Sequence, residues 1–308
     1  MGRVFMDPLM NGQKSFRSGY VAIVGRPNVG KSTLMNRILG EKLAIVTHKP
    51  QTTRNRILGV KTLERAQILF LDTPGVHAGK TRLNEMMVKA ALGTLDDADL
   101  ILFLVEPRQG LHKDEKIILD KLVEVKTPIY MIINKIDTAD KSKLLPMIDR
   151  YHQMNRFREI VPVSALTGDG VELLETMICE ALPKGPPFFP DDSLTDVSQR
   201  FMIAEMIREK IILRTDKEIP HAVAVVVEAV KRRKQRDLTD VHAVIYVEKE
   251  SQKGILIGQK GKMLKEIGSR VRPEIEELLQ TKVFLELWVK VKRDWRSQLR
   301  MLREFGFE

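Results

Sequence analysis

The sequence is poor in cysteine, because its 308 residues include only Cys179. A single cysteine excludes an internal disulfide framework and a metal site built from cysteines. Cys179 stands among the apolar positions of a predicted helix that also holds Leu174, Ile178 and Ala181. We therefore expect a buried thiol without a chemical role at this position.

Long apolar runs are also missing. No stretch reaches the roughly 18 consecutive apolar residues that a membrane-spanning helix needs, and residues 1–18 lack the apolar middle of a signal peptide. We therefore expect a cytoplasmic protein in which residues 1–18 are an N-terminal extension without an assigned function.

Acidic residues are outnumbered, since 51 lysines and arginines stand against 41 aspartates and glutamates, for a net charge of +10. The excess is concentrated late in the chain, where the residues from Lys231 onward include 19 basic and 12 acidic side chains. Such a balance favours a polyanionic partner, either nucleic acid or an anionic membrane. A peripheral contact with the inner face of the cell membrane therefore stays open, although no particular residue supports it.

The length and the 43% apolar composition favour two domains. In the first, over residues 19–183, short apolar runs alternate with helical patterns. Runs without polar alternation are typical of strands that are buried on both faces of a mainly parallel sheet. The sequence thus predicts a doubly wound α/β domain with its ligand at the carboxyl ends of the strands. The runs are Tyr20–Val24, Ala66–Leu71, Asp99–Val105, Pro128–Ile133 and Glu159–Val163.

A proline-dense segment, residues 184–197, reads as a stiff linker and marks a domain boundary. Residues 198–308 then predict an α+β domain in the order helix, two strands, two helices, strand and C-terminal helix. The last strand, over residues 283–292, alternates apolar and polar side chains, which indicates a sheet packed on one face. We expect Trp288 and Trp295 to be core or helix-packing residues.

A phosphate-binding loop follows the first predicted strand directly and opens a helix. Its glycines let backbone N–H groups surround a phosphate at the positive end of the helix. Lys31 is expected to contact the β- and γ-phosphates and Ser32 to bind magnesium. The residues of this nucleotide-binding segment are Gly25, Arg26, Pro27, Asn28, Val29, Gly30, Lys31, Ser32 and Thr33.

A second motif, Asp72-Thr73-Pro74-Gly75, follows another buried strand. The carboxylate of Asp72 can hold magnesium, and the N–H of Gly75 can sense the γ-phosphate. Val76 comes next, at the position where the Ras family has a water-orienting glutamine. The water that attacks the γ-phosphate must therefore be positioned by other groups.

Base recognition is predicted for Asn134, Lys135 and Asp137, which follow the strand ending at Ile133. A carboxylate at Asp137 can accept hydrogen bonds from guanine N1–H and N2–H₂, which adenine does not offer in that geometry. Guanine is thereby selected over adenine. A backbone N–H for guanine O6 is expected from the tripeptide Ser164, Ala165 and Leu166.

The polar segment from Thr47 to Asn55 is the candidate first switch, in which a threonine closes on magnesium when the γ-phosphate is present. Thr52 and Thr53 compete for this role. The residues that we expect to act in GTP cleavage are Lys31, Asp72, Gly75, Asn28 and the switch threonine.

In the second domain a Gly-x-x-Gly turn lies between two helical stretches that carry apolar residues. With 19 glycines such a motif arises by chance, so its context decides its meaning. The element order resembles a type II KH domain, whose turn lets an RNA backbone approach closely. We expect RNA contacts from Ile257, Gly258, Gln259, Lys260, Gly261 and Lys262, and from the basic run Lys231, Arg232 and Arg233.

Together these motifs resemble the translation-factor-related P-loop GTPases. The loop Gly25–Ser32, the run Gln51-Thr-Thr-Arg-Asn and the KH-like module are similar to the Era family of bacterial ribosome-assembly GTPases. The resemblance implies GTP, GDP and magnesium as ligands and favours Thr53 over Thr52. It further implies binding to the 3′ end of small-subunit ribosomal RNA in assembly of that subunit, and no DNA partner.

The same resemblance gives Asn28 a candidate role, because potassium-activated relatives hold a monovalent cation with this residue. Such a cation would stabilise charge that develops during cleavage. Asn28 can equally cap the loop.

Two other readings remain open. In one, the nucleotide is a structural ligand and the KH domain alone has a function. In the other, the chain is a relative of tRNA-modifying GTPases, but that reading requires a cofactor domain before the loop, where only about 24 residues stand.

Overall fold

The computed structural model describes residues 15–77, 81–108, 110, 112–140, 142, 144–234 and 236–307. Most of the predicted N-terminal extension, residues 1–14, lies outside this range. The first strand begins at Arg17, two residues before residue 19, where the sequence predicts the start of the first domain.

The first domain contains a six-stranded sheet with helices on both faces, as predicted. Its strands are β1 (Arg17–Gly25), β2 (Ile57–Leu63), β3 (Ala66–Asp72), β4 (Leu100–Val105), β5 (Ile129–Ile133) and β6 (Glu159–Pro162). Its helices are α1 (Lys31–Leu39), α2 (Arg82–Gly93), α3 (Lys113–Leu122), α4 (Leu144–His152) and α5 (Val171–Ala181).

The strand order is β2-β3-β1-β4-β5-β6, with only β2 antiparallel to its neighbour. This edge strand was not among the predicted runs. Successive side chains of β1 enter opposite cores: Val21 and Ile23 pack with α1 and α5, whereas Ala22 and Val24 pack with residues of α2, α3 and α4. Burial of both faces is what the absence of polar alternation predicted.

Cys179 lies on α5, as expected, but it is half-buried rather than fully buried. Partial burial raises the pKa of its thiol, so the thiolate, which is the reactive form, is disfavoured.

The linker runs along the edge of the sheet that β2 forms. The carbonyl of Leu194 accepts a hydrogen bond from the backbone N–H of Val60 in β2 (2.8 Å), and the hydroxyl of Thr195 donates to the carbonyl of Leu58 (2.6 Å). The side-chain oxygen of Gln67 accepts from two further backbone N–H groups, at residues 188 and 189. The linker thus covers an edge that would otherwise be open to pairing.

The second domain has the predicted element order with one addition, a short helix between the first helix and the first strand. It comprises α6 (Gln199–Arg214), α7 (Ile219–Ala222), β7 (Ala224–Arg232), β8 (Leu238–Val247), α8 (Glu250–Ile257), α9 (Lys262–Leu279), β9 (Lys282–Val291) and α10 (Leu299–Glu304). The sheet order is β7-β8-β9, with β7 antiparallel and β9 parallel to β8. Helices α6, α8 and α9 share an apolar core with one face of this sheet.

The C-terminal segment covers part of the other face. Trp295 is fully buried there against Val244 and Tyr246 of the central strand, in a cluster that also includes Leu83 and Met87 of α2. The prediction for Trp295 is confirmed. The prediction for Trp288 is wrong, since its side chain is 60% exposed on the edge strand β9.

Candidate functional site

A cavity of about 540 Å³ lies at the carboxyl ends of the first-domain strands, where the fold class places a ligand. The predicted residues that line it are Pro27, Asn28, Gly30, Lys31, Ser32, Thr33, Thr53, Gly75, Asn134, Lys135, Asp137, Ala165 and Leu166. The other predicted pocket residues stand beside or behind this wall: Gly25, Arg26, Val29, Asp72, Thr73, Pro74, Val76 and Ser164.

The turn into α1 depends on Gly30, whose φ of 97° is accessible to glycine but strained for other residues. A Cβ at this position would lie 2.2 Å from the side-chain nitrogen of Asn134. That nitrogen donates to the carbonyl of Val29 (2.8 Å), while the side-chain oxygen of Asn134 accepts from the N–H of Ala165 (2.9 Å). Asn134 therefore fastens the base-recognition loops to the phosphate loop.

Lys31 is buried beneath the loop, and its Nζ donates to the carbonyls of Gly25 and Arg26, each at 3.1 Å. Burial lowers the pKa of Lys31 to about 8, against the opposing attraction of Asp72. The ammonium lies where it can bind phosphate oxygens.

Three oxygen-bearing side chains meet beside Lys31. The hydroxyl of Ser32 donates to Oδ2 of Asp72 (2.6 Å) and lies 2.8 Å from the hydroxyl of Thr53. Burial raises the pKa of Asp72 to about 6, and its Oδ1 is buried without a hydrogen-bond partner in the described structure. Hard oxygen donors with one unsatisfied carboxylate oxygen fit a magnesium ion.

Thr52 takes a different position from Thr53. Its hydroxyl donates to the carbonyl of Lys49 (2.7 Å) and lies 2.7 Å from the hydroxyl of Thr47. Between the two competing threonines, only Thr53 contacts Ser32 and Asp72 among the described hydrogen bonds.

At the base end of the cavity, Asp137 is exposed and accepts a hydrogen bond from the hydroxyl of Ser164 (2.6 Å). This contact orients the carboxylate that was predicted to read guanine. Lys135 has a φ of 68° and donates through Nζ to the carbonyl of Asn28 (2.6 Å).

Glu106, at the end of β4, was not predicted to be part of the site. Its two carboxylate oxygens pair with Lys135 and with Arg26, and Arg26 also pairs with Glu115 (3.1 Å). These contacts hold Arg26 towards the carboxylates of Glu106, directly after β4, and Glu115 on α3. The sequence gives no motif for them, because they join segments that are distant along the chain.

Gly75 approaches the phosphate loop closely, since a Cβ there would lie 2.6 Å from the backbone nitrogen of Pro27. Val76 is fully buried, and its backbone N–H donates to the carbonyl of Gly25 (3.2 Å). Its side chain packs in the apolar core, which agrees with the interpretation that it does not orient water.

Asn28 adopts a φ of 64°, and its side-chain nitrogen donates to the carbonyl of His48 in the switch segment (2.9 Å). This contact links the phosphate loop to the first switch. The potassium role of Asn28 stays a prediction.

The switch segment also contacts the second domain, which the sequence did not predict. The guanidinium of Arg54, only 3% exposed, donates to the carbonyls of Val223 (2.6 Å), Pro220 (2.8 Å) and His221 (3.1 Å). Arg208 of α6 donates to the carbonyl of Thr52. Thr53 is therefore flanked on both sides by residues that are held by the second domain.

The Gly-x-x-Gly turn lies between α8 and α9, with φ values of 70° at Gly258 and 76° at Gly261. Lys260 and Lys262 are both exposed, as a phosphate-contacting turn requires. The basic run Lys231, Arg232 and Arg233 is exposed at the end of β7, on a separate part of the domain.

Comparison with known proteins gives the family. Residues 20–135 match the family model described as 50S ribosome-binding GTPase, and residues 218–296 match the KH domain model. The chain is 54% identical over 292 residues to GTPase Era of Syntrophus aciditrophicus, covering 95% of both chains. The chain belongs to the Era GTPase family. GTPase Era of Geotalea uraniireducens is 55% identical over 96% of this chain and 99% of its own length.

Solved Era structures have the same fold. A crystal structure of Era in complex with MgGDPNP and nucleotides 1506–1542 of 16S ribosomal RNA is 42% identical, with a TM-score of 0.92 over 95% of this chain and 99% of that one. A single-residue variant of Aquifex aeolicus Era bound to GDP·AlF4⁻ is 43% identical, with a TM-score of 0.91 and the same coverage. In this chain, no described helix has both the length and the apolar character to cross a membrane.

Proposed function

We propose that this chain cleaves GTP to GDP and phosphate and binds the 3′ region of small-subunit ribosomal RNA, as a factor in maturation and assembly of the small ribosomal subunit. The observation that carries the proposal is the meeting of Ser32, Thr53 and Asp72 beside Lys31 in a chain that also has an exposed Gly-x-x-Gly turn. The choice of the small subunit rests on the 42% identical Era that was crystallised with 16S ribosomal RNA.

In the proposed reaction, Lys31 and the N–H groups at the start of α1 bind the phosphates. Ser32, Thr53 and Asp72 would hold magnesium, which supplies charge neutralisation for the phosphates. A water attacks the γ-phosphorus, the bond to the β–γ bridging oxygen breaks, and GDP keeps that oxygen. The N–H of Gly75 would contact the γ-phosphate, and Asp137 would fix the guanine. We keep a potassium ion at Asn28 as part of the proposal.

We also propose the domain division that follows from the chain: a GTPase domain to residue 183, a linker over 184–197 and a KH domain over 198–308. A cytoplasmic location and a peripheral membrane contact remain predictions. The membrane contact is supported only by the excess of basic residues from Lys231 onward.

Single-turnover cleavage of GTP separates this proposal from an RNA-binding module that holds GTP as a structural ligand. We expect cleavage in potassium buffer and slower cleavage in sodium buffer. Lys31→Ala should abolish nucleotide binding, because it removes the buried ammonium. Absence of cleavage in the intact chain, with and without RNA, would support the structural-ligand alternative.

Filter binding of RNA fragments from the 3′ end of small-subunit ribosomal RNA tests the proposed RNA binding. Gly261→Asp suits this assay because a Cβ there meets no atom within 4 Å, and aspartate is one of the few residues that tolerate a φ of 76°. It should abolish RNA binding and spare GTP binding. Gly306→Asp, with a φ of 82° and equally open space, is the matched control and should bind RNA normally.

A further inference from the structure

The uncovered part of the KH sheet presents aromatic rings to solvent. On β9, Phe284, Glu286, Trp288 and Lys290 alternate with the core residues and point away from helices α8 and α9. Trp288 is 60% exposed and Phe284 is 47% exposed. Being four residues apart on one strand, the two rings stand on the same face, about 13 Å from each other.

The C-terminal segment explains why the rings are uncovered. It packs on Val244 and Tyr246 of the central strand and on Ala224 of β7. Trp288 is paired in register with Val244, but it lies on the neighbouring edge strand β9, which the C-terminal segment does not cover. The exposed surface, which we call the open sheet face, consists of Phe284, Glu286, Trp288 and Lys290 together with Asp240 and His242 of β8.

A cationic rim borders the open sheet face. The end of β7 and the following turn supply five cations and no carboxylate between residues 231 and 236. The guanidinium of Arg233 lies 5.6 Å from the ring centre of Phe284, within the range of a cation–π contact. Lys290 stands beside Trp288 on the same strand face.

The carboxylates near the open sheet face each have a basic partner, an imidazole for Glu286 and a cation for the others. Glu286 pairs with His242 (2.5 Å), Asp240 with Arg233 (2.6 Å), and Glu228 with Lys290 (3.8 Å). On the rim, Asp237 pairs with Arg232 (3.1 Å). Within the described part of the chain, Lys231, Lys234 and Arg236 have no carboxylate within 4 Å, so the rim keeps an excess of positive charge.

We propose that the open sheet face is a second RNA-binding surface, which stacks unpaired bases on Trp288 and Phe284 while the cations of residues 231–236 contact the phosphates. Exposed rings beside a cationic rim are the combination with which proteins bind single-stranded nucleic acid. A protein partner is the less favoured occupant, because free cations at a rim suit a polyanion.

This surface lies on the opposite side of the sheet from the helices that frame the Gly-x-x-Gly turn. A single short segment cannot occupy both places. One RNA strand would have to continue around the edge of the KH domain, so the second surface would act only on longer fragments. The inference rests on the proposed RNA-binding function and adds a second contact region to it.

The test compares two RNA probes with the full-length protein in filter binding. One is a fragment of about ten nucleotides from the 3′ end of small-subunit ribosomal RNA, and the other extends this fragment by about twenty nucleotides. Trp288→Ala should weaken binding of the long fragment about tenfold, which corresponds to loss of one stacked base, and should leave the short one unchanged. Phe188→Ala, which removes an aromatic ring of 56% exposure from the linker, is the matched control and should change neither.

Intrinsic fluorescence gives an independent readout, because the chain has two tryptophans. Trp295 is fully buried and donates its Nε1–H to the carbonyl of Ala222 (2.9 Å), so RNA should not reach it. The long fragment should quench the wild-type emission, and Trp288→Phe should remove this quenching while retaining the long-fragment affinity to within about threefold.

The outcomes separate the two proposals. If the wild type binds neither fragment, the proposed RNA-binding function fails and the open sheet face fails with it. If the wild type binds the long fragment and Trp288→Ala binds it equally well, only the second surface is refuted. Weaker binding of Trp288→Ala to small ribosomal subunits, with unchanged binding to both RNA fragments, would overturn the inference in favour of a protein partner.

Discussion

The side-chain oxygen of Gln51 lies 3.0 Å from Nδ1 of His221, so a switch residue of the GTPase domain is hydrogen-bonded to the KH domain. Burial lowers the pKa of His221, which keeps the imidazole neutral and able to donate through Nδ1–H. The side-chain nitrogen of Gln51 in turn lies 2.7 Å from Nε2 of His77, two residues after Gly75. This switch side chain thus contacts both the segment after Gly75 and the domain that we propose binds RNA.

The two switch threonines form a matched pair for a magnesium experiment. Thr53→Ala should raise the magnesium concentration needed for half-maximal GTP cleavage by about tenfold or more, because it removes the hydroxyl 2.8 Å from Ser32. Thr52→Ala should change it less than about threefold, since that hydroxyl contacts only Thr47 and Lys49 among the described hydrogen bonds. A magnesium titration of single-turnover cleavage measures both, and an equal effect of the two substitutions would contradict the assignment.

Nucleotide affinity should depend on pH at both ends of the range. Below a pH of about 6 Asp72 becomes protonated, so magnesium-dependent binding should fall by up to about tenfold for each further pH unit. Above a pH of about 8 Lys31 loses its charge, so phosphate binding should weaken as pH rises. Titration of a fluorescent GDP between about pH 5 and about pH 9 measures both limbs.

The same titration without magnesium is the control for the acidic limb. That limb should disappear, because it comes from the metal-binding carboxylate, whereas the alkaline limb should persist. An acidic limb of unchanged steepness without magnesium would assign it to another group.

Asp137→Asn should alter base preference and leave phosphate binding intact. Xanthine carries a carbonyl where guanine carries its N2 amino group, and the asparagine amide can donate to that carbonyl. We expect GTP affinity to fall by about a hundredfold or more and XTP to become the better ligand. Competition binding with both nucleotides measures the change, and unchanged preference for GTP would show that Asp137 does not read the base.

Arg54→Ala should destabilise the contact between the domains. It leaves three backbone carbonyls of the KH domain without their donor, and we expect the free energy of unfolding to fall by about 3 kcal/mol. Arg56→Ala, two residues away and exposed, should change it by less than about 0.5 kcal/mol. Urea unfolding followed by circular dichroism compares the two, and similar values would contradict a role for Arg54 at this contact.

Most residues of the nucleotide site could be predicted from short sequence motifs. The phosphate loop, Asp72 and Asn134 could be found from sequence because each lies at or directly after the end of a strand, and strand ends converge in this fold. Glu106 and Arg208 could not be found in this way. Their partners, Arg26 and Thr52, are distant in sequence, and no spacing rule links them.

Trp288 shows a different limit of sequence reasoning. Period-two alternation correctly gave the two faces of β9, but it did not say which neighbours cover the second face. Cover depends on the path of the C-terminal segment, which packs on β8 and stops short of β9. An aromatic residue on a strand therefore does not predict burial by itself.

The anchored linker limits the freedom of the two domains. Its chain is hydrogen-bonded to the sheet edge as far as Thr195, and α6 begins at Gln199. Only residues 196–198 separate the last of these hydrogen bonds from the first KH helix, and Val197 among them packs against the apolar core of the first domain. If the KH domain swings away from the switch segment, the pivot is therefore confined to three residues, and the motion is a rotation about a fixed point with little room for translation.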